Sequence, residues 1–158
     1  MILNRIVFLI ILSFPTFLFS QIKAKVIGVK DGDTIVVLLD GDQQKTLRLA
    51  EVDCPESGQP FGKNSKQFTS NEVFGKFITY FPTDIDRYGR TIAKIYYDNE
   101  KYLSEEIIKN GLGWWYFYFS KSESLGTIQK EAENKKLGLW IDAKPISPWE
   151  WRKISQKR

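Results

Sequence analysis

Between residues 22 and 97 the chain carries five short runs rich in β-branched and aromatic residues, each cut off by turn-forming residues before it could become a long strand or helix. Ile22 to Val29 and Thr34 to Leu39 are separated by Lys30-Asp31-Gly32-Asp33, whose Asp-Gly pair predicts a tight hairpin. A second Asp-Gly, at Asp40-Gly41, leads into Lys45 to Val52, so three consecutive antiparallel strands are expected. Lys76 to Pro82 and Arg90 to Tyr97 supply two more, on either side of a turn at Asp84 to Gly89. Five short strands suit a small barrel better than a sandwich of seven or more.

The remaining pattern is helical. Gly62 to Phe74 lacks alternation, and Phe61, Phe68 and Val73 form a weak stripe. Leu103, Ile107 and Ile108 form a better one, which stops at Asn110-Gly111. Leu125, Ile128, Ala132 and Leu137 make a third, closed by Gly138. The expectation is an α+β fold, mainly β, with a five-stranded barrel and three α-helices. No repeat, low-complexity tract or linker divides residues 21–158, which have the length of one domain with a proper core.

Residues 1–20 read as a cleaved secretory leader rather than as part of that domain. Arg5 supplies a positive charge, Ile6 to Leu12 is unbroken apolar sequence, and Ser20-Gln21 offers a cut site; the alternative, a retained anchor, has a short span to work with. A secreted or periplasmic monomer is therefore expected, without stable membrane association once the leader is removed. Without Arg5, 22 of the chain's 23 basic side chains face 19 acidic ones. That modest excess is compatible with a polyanionic partner. Arg152, Lys153, Lys157 and Arg158, at the extreme end, read as a solvated, frayed terminus.

Two absences bound the chemistry. There is no histidine, the usual carrier of protons near neutral pH, so a hydrolase built from this sequence relies on a carboxylate, on metal-bound water, or on both. Cys54 is the single cysteine, so no intramolecular disulfide forms, and a catalytic thiol would have no histidine to activate it.

Against this background, Asp31-Gly32-Asp33-Thr34, Arg48-Leu49-Ala50-Glu51-Val52-Asp53-Cys54-Pro55-Glu56 and Asp86-Arg87-Tyr88-Gly89-Arg90 bring together acids and arginines suited to phosphodiester cleavage. Carboxylates can hold a hard cation, a further carboxylate can activate water, and guanidinium forks can neutralise phosphate oxygens. Taken singly, each has a plainer reading. Asp31 and Asp33 form turns, Arg48 pairs across a strand, Asp53 and Glu56 sit in a solvated loop, and Arg90 closes an ion pair with Asp86. The joint pattern favours a site. Residues 48 and 53 differ by an odd number, so the third strand must bend or end near Glu51 if both are to face one side.

These three motifs, in this order and with these strands between them, resemble the staphylococcal nuclease (thermonuclease) family. The resemblance runs from about Val26 to Trp151 and takes in Asn110-Gly111-Leu112-Gly113-Trp114, Gly138-Leu139-Trp140 and Pro148-Trp149-Glu150-Trp151-Arg152. It implies an OB-fold barrel carrying a calcium-dependent nuclease whose partners are DNA and RNA. By the same resemblance Asp33 and Asp53 are calcium carboxylates, the backbone carbonyl of Cys54 is a further ligand and Asp31 is an outer-shell acid. Glu56 matches the residue that orients or deprotonates the attacking water, and Arg48 and Arg90 match the pair that clamps the phosphate. Arg87 and Tyr88 match positions that contact a terminal phosphate or the neighbouring backbone.

The aromatic run Trp114-Trp115-Tyr116-Phe117-Tyr118-Phe119 departs from that pattern: Phe117 and Phe119 stand where the family's type enzyme has tyrosines, which leaves Tyr116 or Tyr118 to supply the hydroxyls. Tyr116 and Tyr118 serve either as a base-stacking surface or as packing, while Trp114, Trp140 and Trp149 read as packing. Two other classes remain beside the enzyme: a non-catalytic nucleic-acid-binding barrel, and a surface interaction module for which only the aromatics speak.

Overall fold

The computed structural model describes residues 21–156; the expected leader at 1–20, and Lys157 and Arg158, lie outside the described residues. Five strands, β1 (Ile22–Asp31), β2 (Thr34–Leu38), β3 (Gln44–Leu49), β5 (Phe77–Ile85) and β6 (Thr91–Tyr97), run in the spatial order β3-β2-β1-β5-β6. A parallel pairing of β3 with β6 closes the sheet into a barrel. The short strands β4 (Val52–Asp53) and β8 (Trp114–Trp115) pair with each other, and β7 (Lys101–Tyr102) extends the β6 edge.

The barrel closes because one face of each strand is apolar. Along β6 buried residues strictly alternate with half-buried ones, the period expected of a pleated strand with one face inward. Val26, Ile35, Val37, Leu47, Leu49, Ile78, Tyr80, Ala93 and Ile95 fill the interior, and Leu103, Ile107, Ile108 and Leu125 continue the same core outward. The last four come from α2 (Leu103–Lys109) and α3 (Glu123–Asn134), whose expected stripes are the faces they bury. Leu137 lies beyond the end of α3, contrary to the sequence expectation, and Gly138 begins a short 3₁₀ turn, Gly138–Ile141. α1 (Gly62–Val73) packs on β1.

Two departures from the sequence reading shape the site. The third strand does not run to Val52: it stops at Leu49, and Glu51 takes the left-handed conformation with φ 67°. The Glu51 carboxylate accepts hydrogen bonds from Tyr102 Oη and Ser120 Oγ, each at 2.9 Å, and pairs with Lys94 Nζ at 3.1 Å. These contacts hold a backbone conformation that costs a non-glycine residue roughly 1 kcal/mol or more.

The chain end is the second departure. Three helices were expected; a fourth, α4 (Pro148–Ser155), stands where a frayed tail was predicted. Ser147 caps it in a reciprocal capping box with Glu150, and Pro148 occupies its first turn, where a missing N–H costs nothing. Trp149 docks it: its ring stacks on Tyr116 at 5.7 Å and 11°, and meets Trp114 edge-on at 5.6 Å. Ser147→Ala should destabilise α4 by about 1 kcal/mol and speed amide exchange within residues 149–155 more than in the barrel strands. Unchanged exchange there would show that the cap does not hold the helix.

Candidate active site

The hairpin between β1 and β2 presents Asp31 and Asp33 at one end of the barrel, with Asp31 paired across to Thr34. Gly32 is there for space rather than for a special φ. A Cβ on it would lie 2.0 Å from Ser65 Oγ and 2.8 Å from the Cys54 side chain. The polar face of α1 braces the turn at this close approach, with Thr69 Oγ1 donating to the Gly32 carbonyl at 2.6 Å. Asp33 is buried and well supplied with donors: the Cys54 N–H reaches Oδ2 at 2.8 Å and the Thr34 hydroxyl reaches Oδ1 at 3.1 Å.

The break after Leu49 brings Asp53 to the same place. Arg48, from β3, spreads its guanidinium between two carboxylates, with Nη1 at 2.7 Å from Asp33 Oδ2 and Nη2 at 2.7 Å from Asp53 Oδ1. It also donates to the Val52 carbonyl at 3.3 Å. The parity problem in the sequence is thus resolved by the left-handed residue at 51.

Glu56 follows on the loop after β4, half-exposed. Its backbone N–H donates to Gln59 Oε1, and Gln59 Nε2 donates to the Ile146 carbonyl at 2.6 Å, which ties this loop to the start of α4. From α4, Arg152 Nη1 reaches Glu56 Oε1 at 2.8 Å and Arg152 Nη2 reaches Asp53 Oδ2 at 2.7 Å. Neither Arg152 nor Gln59 was identified from the sequence. A signal for the first existed: Ser147-Pro148 with Glu150 three residues after the serine is a helix start, and it places Arg152 on a helix rather than in a tail.

Arg90 stands slightly apart. Its Nε pairs with Asp86 Oδ2 at 2.6 Å, as the plainer reading expects, while Nη1 donates to Thr34 Oγ1 at 3.3 Å, one hydroxyl away from Asp33. Asp86 Oδ1 also accepts from the backbone N–H groups of Tyr88 and Arg90, each at 2.9 Å. Arg87 and Tyr88 lie exposed in the same turn, the Tyr88 ring lying between the guanidinium groups of Arg87 and Arg90 at 5.7 and 5.6 Å. Tyr116 is half-buried against Trp149, which suits the packing reading, while Tyr118 is 63% exposed with the Phe117 ring 4.1 Å from its own.

Four carboxylates and two guanidinium groups in so small a volume perturb one another. Burial, and then the charge of Asp33, push Asp31 up to about 6. Burial also raises Asp53, although Arg152 and Arg48 oppose it. Burial would lower Arg48, but Asp33 and Asp53 outweigh it and hold its charge more firmly than usual. Burial first, and then Asp33, push the Cys54 thiol well up. The carboxylates of Asp33 and Asp53 supply oxygen donors beside it. Among the described residues no group of three or more His, Cys, Asp or Glu side chains is gathered closely enough to hold a metal ion by itself. Asp33 and Asp53, near enough to share one guanidinium, fit a hard cation in an open site completed by carbonyl and water oxygens.

Asp86 allows a test of the turn. Burial acts to raise its pKa, but the backbone and side-chain donors of Arg90 and the N–H of Tyr88 prevail and lower it. A depressed folded-state pKa contributes stability that is present above the unfolded value near 4 and is lost as pH falls through the folded value. The stability difference between the wild type and Asp86→Asn should therefore be constant near neutrality and shrink below about pH 4. Parallel acid denaturation curves would count against the turn as drawn.

Residues 46–142 match the family described as staphylococcal nuclease homologue, a stretch that includes Arg48, Asp53, Glu56 and Arg90. A Haemophilus influenzae protein named as an uncharacterized endonuclease is 37% identical over 129 residues, 82% of this chain and 72% of that one. An Escherichia coli O157:H7 protein of the same description is 35% identical over 144 residues, covering 91% and 93% of the two chains. A Shigella flexneri micrococcal nuclease is 32% identical over 157 residues, covering 93% and 88%. The barrel, the cluster of acids and arginines at its end and these similarities agree: the chain belongs to the staphylococcal nuclease family.

Proposed function

We propose that this chain is a calcium-dependent endonuclease that hydrolyses phosphodiester bonds in DNA and RNA with little sequence preference. The observation that carries the reading is the single guanidinium of Arg48 bridging Asp33 and Asp53, with Glu56 linked to the same carboxylate through Arg152. Similarity to proteins named as endonucleases and as a micrococcal nuclease supports it. The apolar leader makes the proposed place of action extracytoplasmic.

In this reading Asp33, Asp53 and the Cys54 carbonyl would hold calcium, with Asp31 in its outer shell. Calcium when bound supplies Lewis-acid polarisation of the phosphate and a template for water. Glu56 takes the proton of the attacking water. Its Oε1 is held by Arg152, and among the described residues no hydrogen-bond donor occupies Oε2, which leaves that oxygen for the proton. Arg48 and Arg90 approach the Asp33-Thr34 pair from β3 and from the turn before β6, and in this reading both would turn guanidinium N–H groups to phosphate oxygens as these gain negative charge. Donors fixed at those oxygens bind the transition state more strongly than the ground state. In this reading the exposed Arg87, Tyr88 and Tyr118 would be substrate contacts.

Incubation of the purified protein with labelled single-stranded DNA, in calcium or in chelator, tests the whole reading. Cleavage in calcium alone is expected. Binding without cleavage would make the barrel a nucleic-acid-binding module, and neither would remove nucleic acid as the partner. Asp33→Ala should abolish cleavage and weaken calcium binding in titration calorimetry while the barrel stays folded; unchanged calcium affinity would remove Asp33 as a ligand. Glu56→Gln keeps size and hydrogen bonding but not basicity, and should lower turnover by roughly 10²- to 10⁴-fold at pH 7 with calcium affinity little changed. Full turnover in that variant would eliminate Glu56 as the base.

A further inference from the structure

The geometry points to Arg152 as a positioning residue of this site: a guanidinium delivered by α4 that joins the Glu56 carboxylate to Asp53 and occupies the acid cluster as its internal counter-cation. The inference rests on the proposed calcium-dependent cleavage and goes beyond it, since Arg152 lies outside the matched family stretch of residues 46–142. Arg152 is not a solvated tail residue that drifts against an acid. Nη2 meets Asp53 Oδ2 at 2.7 Å, and Nη1 divides between Glu56 Oε1 at 2.8 Å and Asp53 Oδ1 at 3.3 Å. Asp53, 1% exposed, is thereby clasped on both oxygens by two arginines, one from β3 five residues before it and one from α4.

Three independent devices fix Arg152 in place. The Ser147–Glu150 capping box starts its helix, Trp149 stacks that helix on Tyr116, and Gln59 ties the loop of Glu56 to the Ile146 carbonyl just ahead of the cap. The first two orient Arg152 and the third orients its target. With Oε1 of Glu56 held by Arg152, Oε2 has no donor among the described residues and is free to face the attacking water. A guanidinium on Asp53 also neutralises charge that a calcium ion would otherwise neutralise, so the two cations compete for the same carboxylate.

The test compares the full-length wild type with Arg152→Gln and Arg152→Lys, using calcium alone in titration calorimetry and a single-stranded DNA oligonucleotide in steady-state cleavage. Loss of the positive charge should tighten calcium binding by about ten-fold, and loss of the bridge to Glu56 should lower kcat by at least about ten-fold with KM little changed. Arg152→Lys restores charge without the planar fork, so calcium affinity should return to within about two-fold of wild type while kcat recovers only in part. Calcium affinity that is unchanged or weaker in Arg152→Gln overturns the assignment. So does a defect confined to KM, which would make Arg152 a substrate contact. Should Arg152→Gln fail to fold, the kcat loss at constant KM in Arg152→Lys carries the decision. A wild type that neither binds calcium nor cleaves overturns the underlying calcium-nuclease reading instead, whereas a wild type that does both isolates any failure to Arg152.

Discussion

One guanidinium, that of Arg48, holds the end of the barrel together. Asp33 and Asp53 are both buried and lie 20 residues apart in sequence, one in the β1–β2 turn and the other in β4, and like charges so placed repel unless a cation lies between them. Arg48 is rigid, planar and forked, and it bonds to both carboxylates at 2.7 Å, a geometry that an ammonium group cannot reproduce. Removing it would leave Asp33 without a guanidinium and Asp53 with Arg152 alone, a loss of about 3–5 kcal/mol by the usual cost of breaking a buried pair. A residue proposed to act on the phosphate is therefore also part of the scaffold, and substitutions at 48 mix the two effects.

The same logic explains why the chain end folds back. The acids exceed what one arginine can neutralise, and the second cation comes from α4. Aromatic packing brings that helix in: Trp149 lies among Trp114, Tyr116, Phe117 and Tyr118, so part of the aromatic run holds the helix against the barrel. Apolar contact supplies the docking and the ion pairs supply the register.

Much of this was legible in the residues themselves. The five barrel strands follow from β-branched runs between turns, and α2 and α3 from their apolar stripes, because both depend on local periodicity; α1 forms where expected, but Phe61 stands ahead of it and the face it buries is Gly62, Ser65, Thr69 and Val73. The odd spacing of Arg48 and Asp53 even foretold the break near Glu51. The reason for Gly32 was not legible, since it lies in the approach of Ser65 and Cys54 from other elements. The start of α4 was legible in Ser147-Pro148 and Glu150 but was passed over for the basic run at the terminus, and only the partners Asp53 and Glu56, far away in sequence, show where Arg152 goes. Gln59 escaped notice because a loop glutamine carries no pattern; its worth is in bonding two segments that the fold brings together.

The closure of the barrel has a further consequence. β3 and β6 meet in parallel, with Arg48 opposite Ile92, so the separation of Arg48 from Arg90 is set by that one seam rather than by the hairpins, which are fastened by short turns. A parallel ladder between strands distant in sequence has no turn to re-zip it once it parts. The seam is thus the natural fault line of the molecule: a partial opening there would part the two arginines while hairpins and helices stayed intact. Were Arg48 and Arg90 the phosphate clamp proposed above, such an opening on warming would part the clamp before the barrel melts, and cooling would close it without refolding.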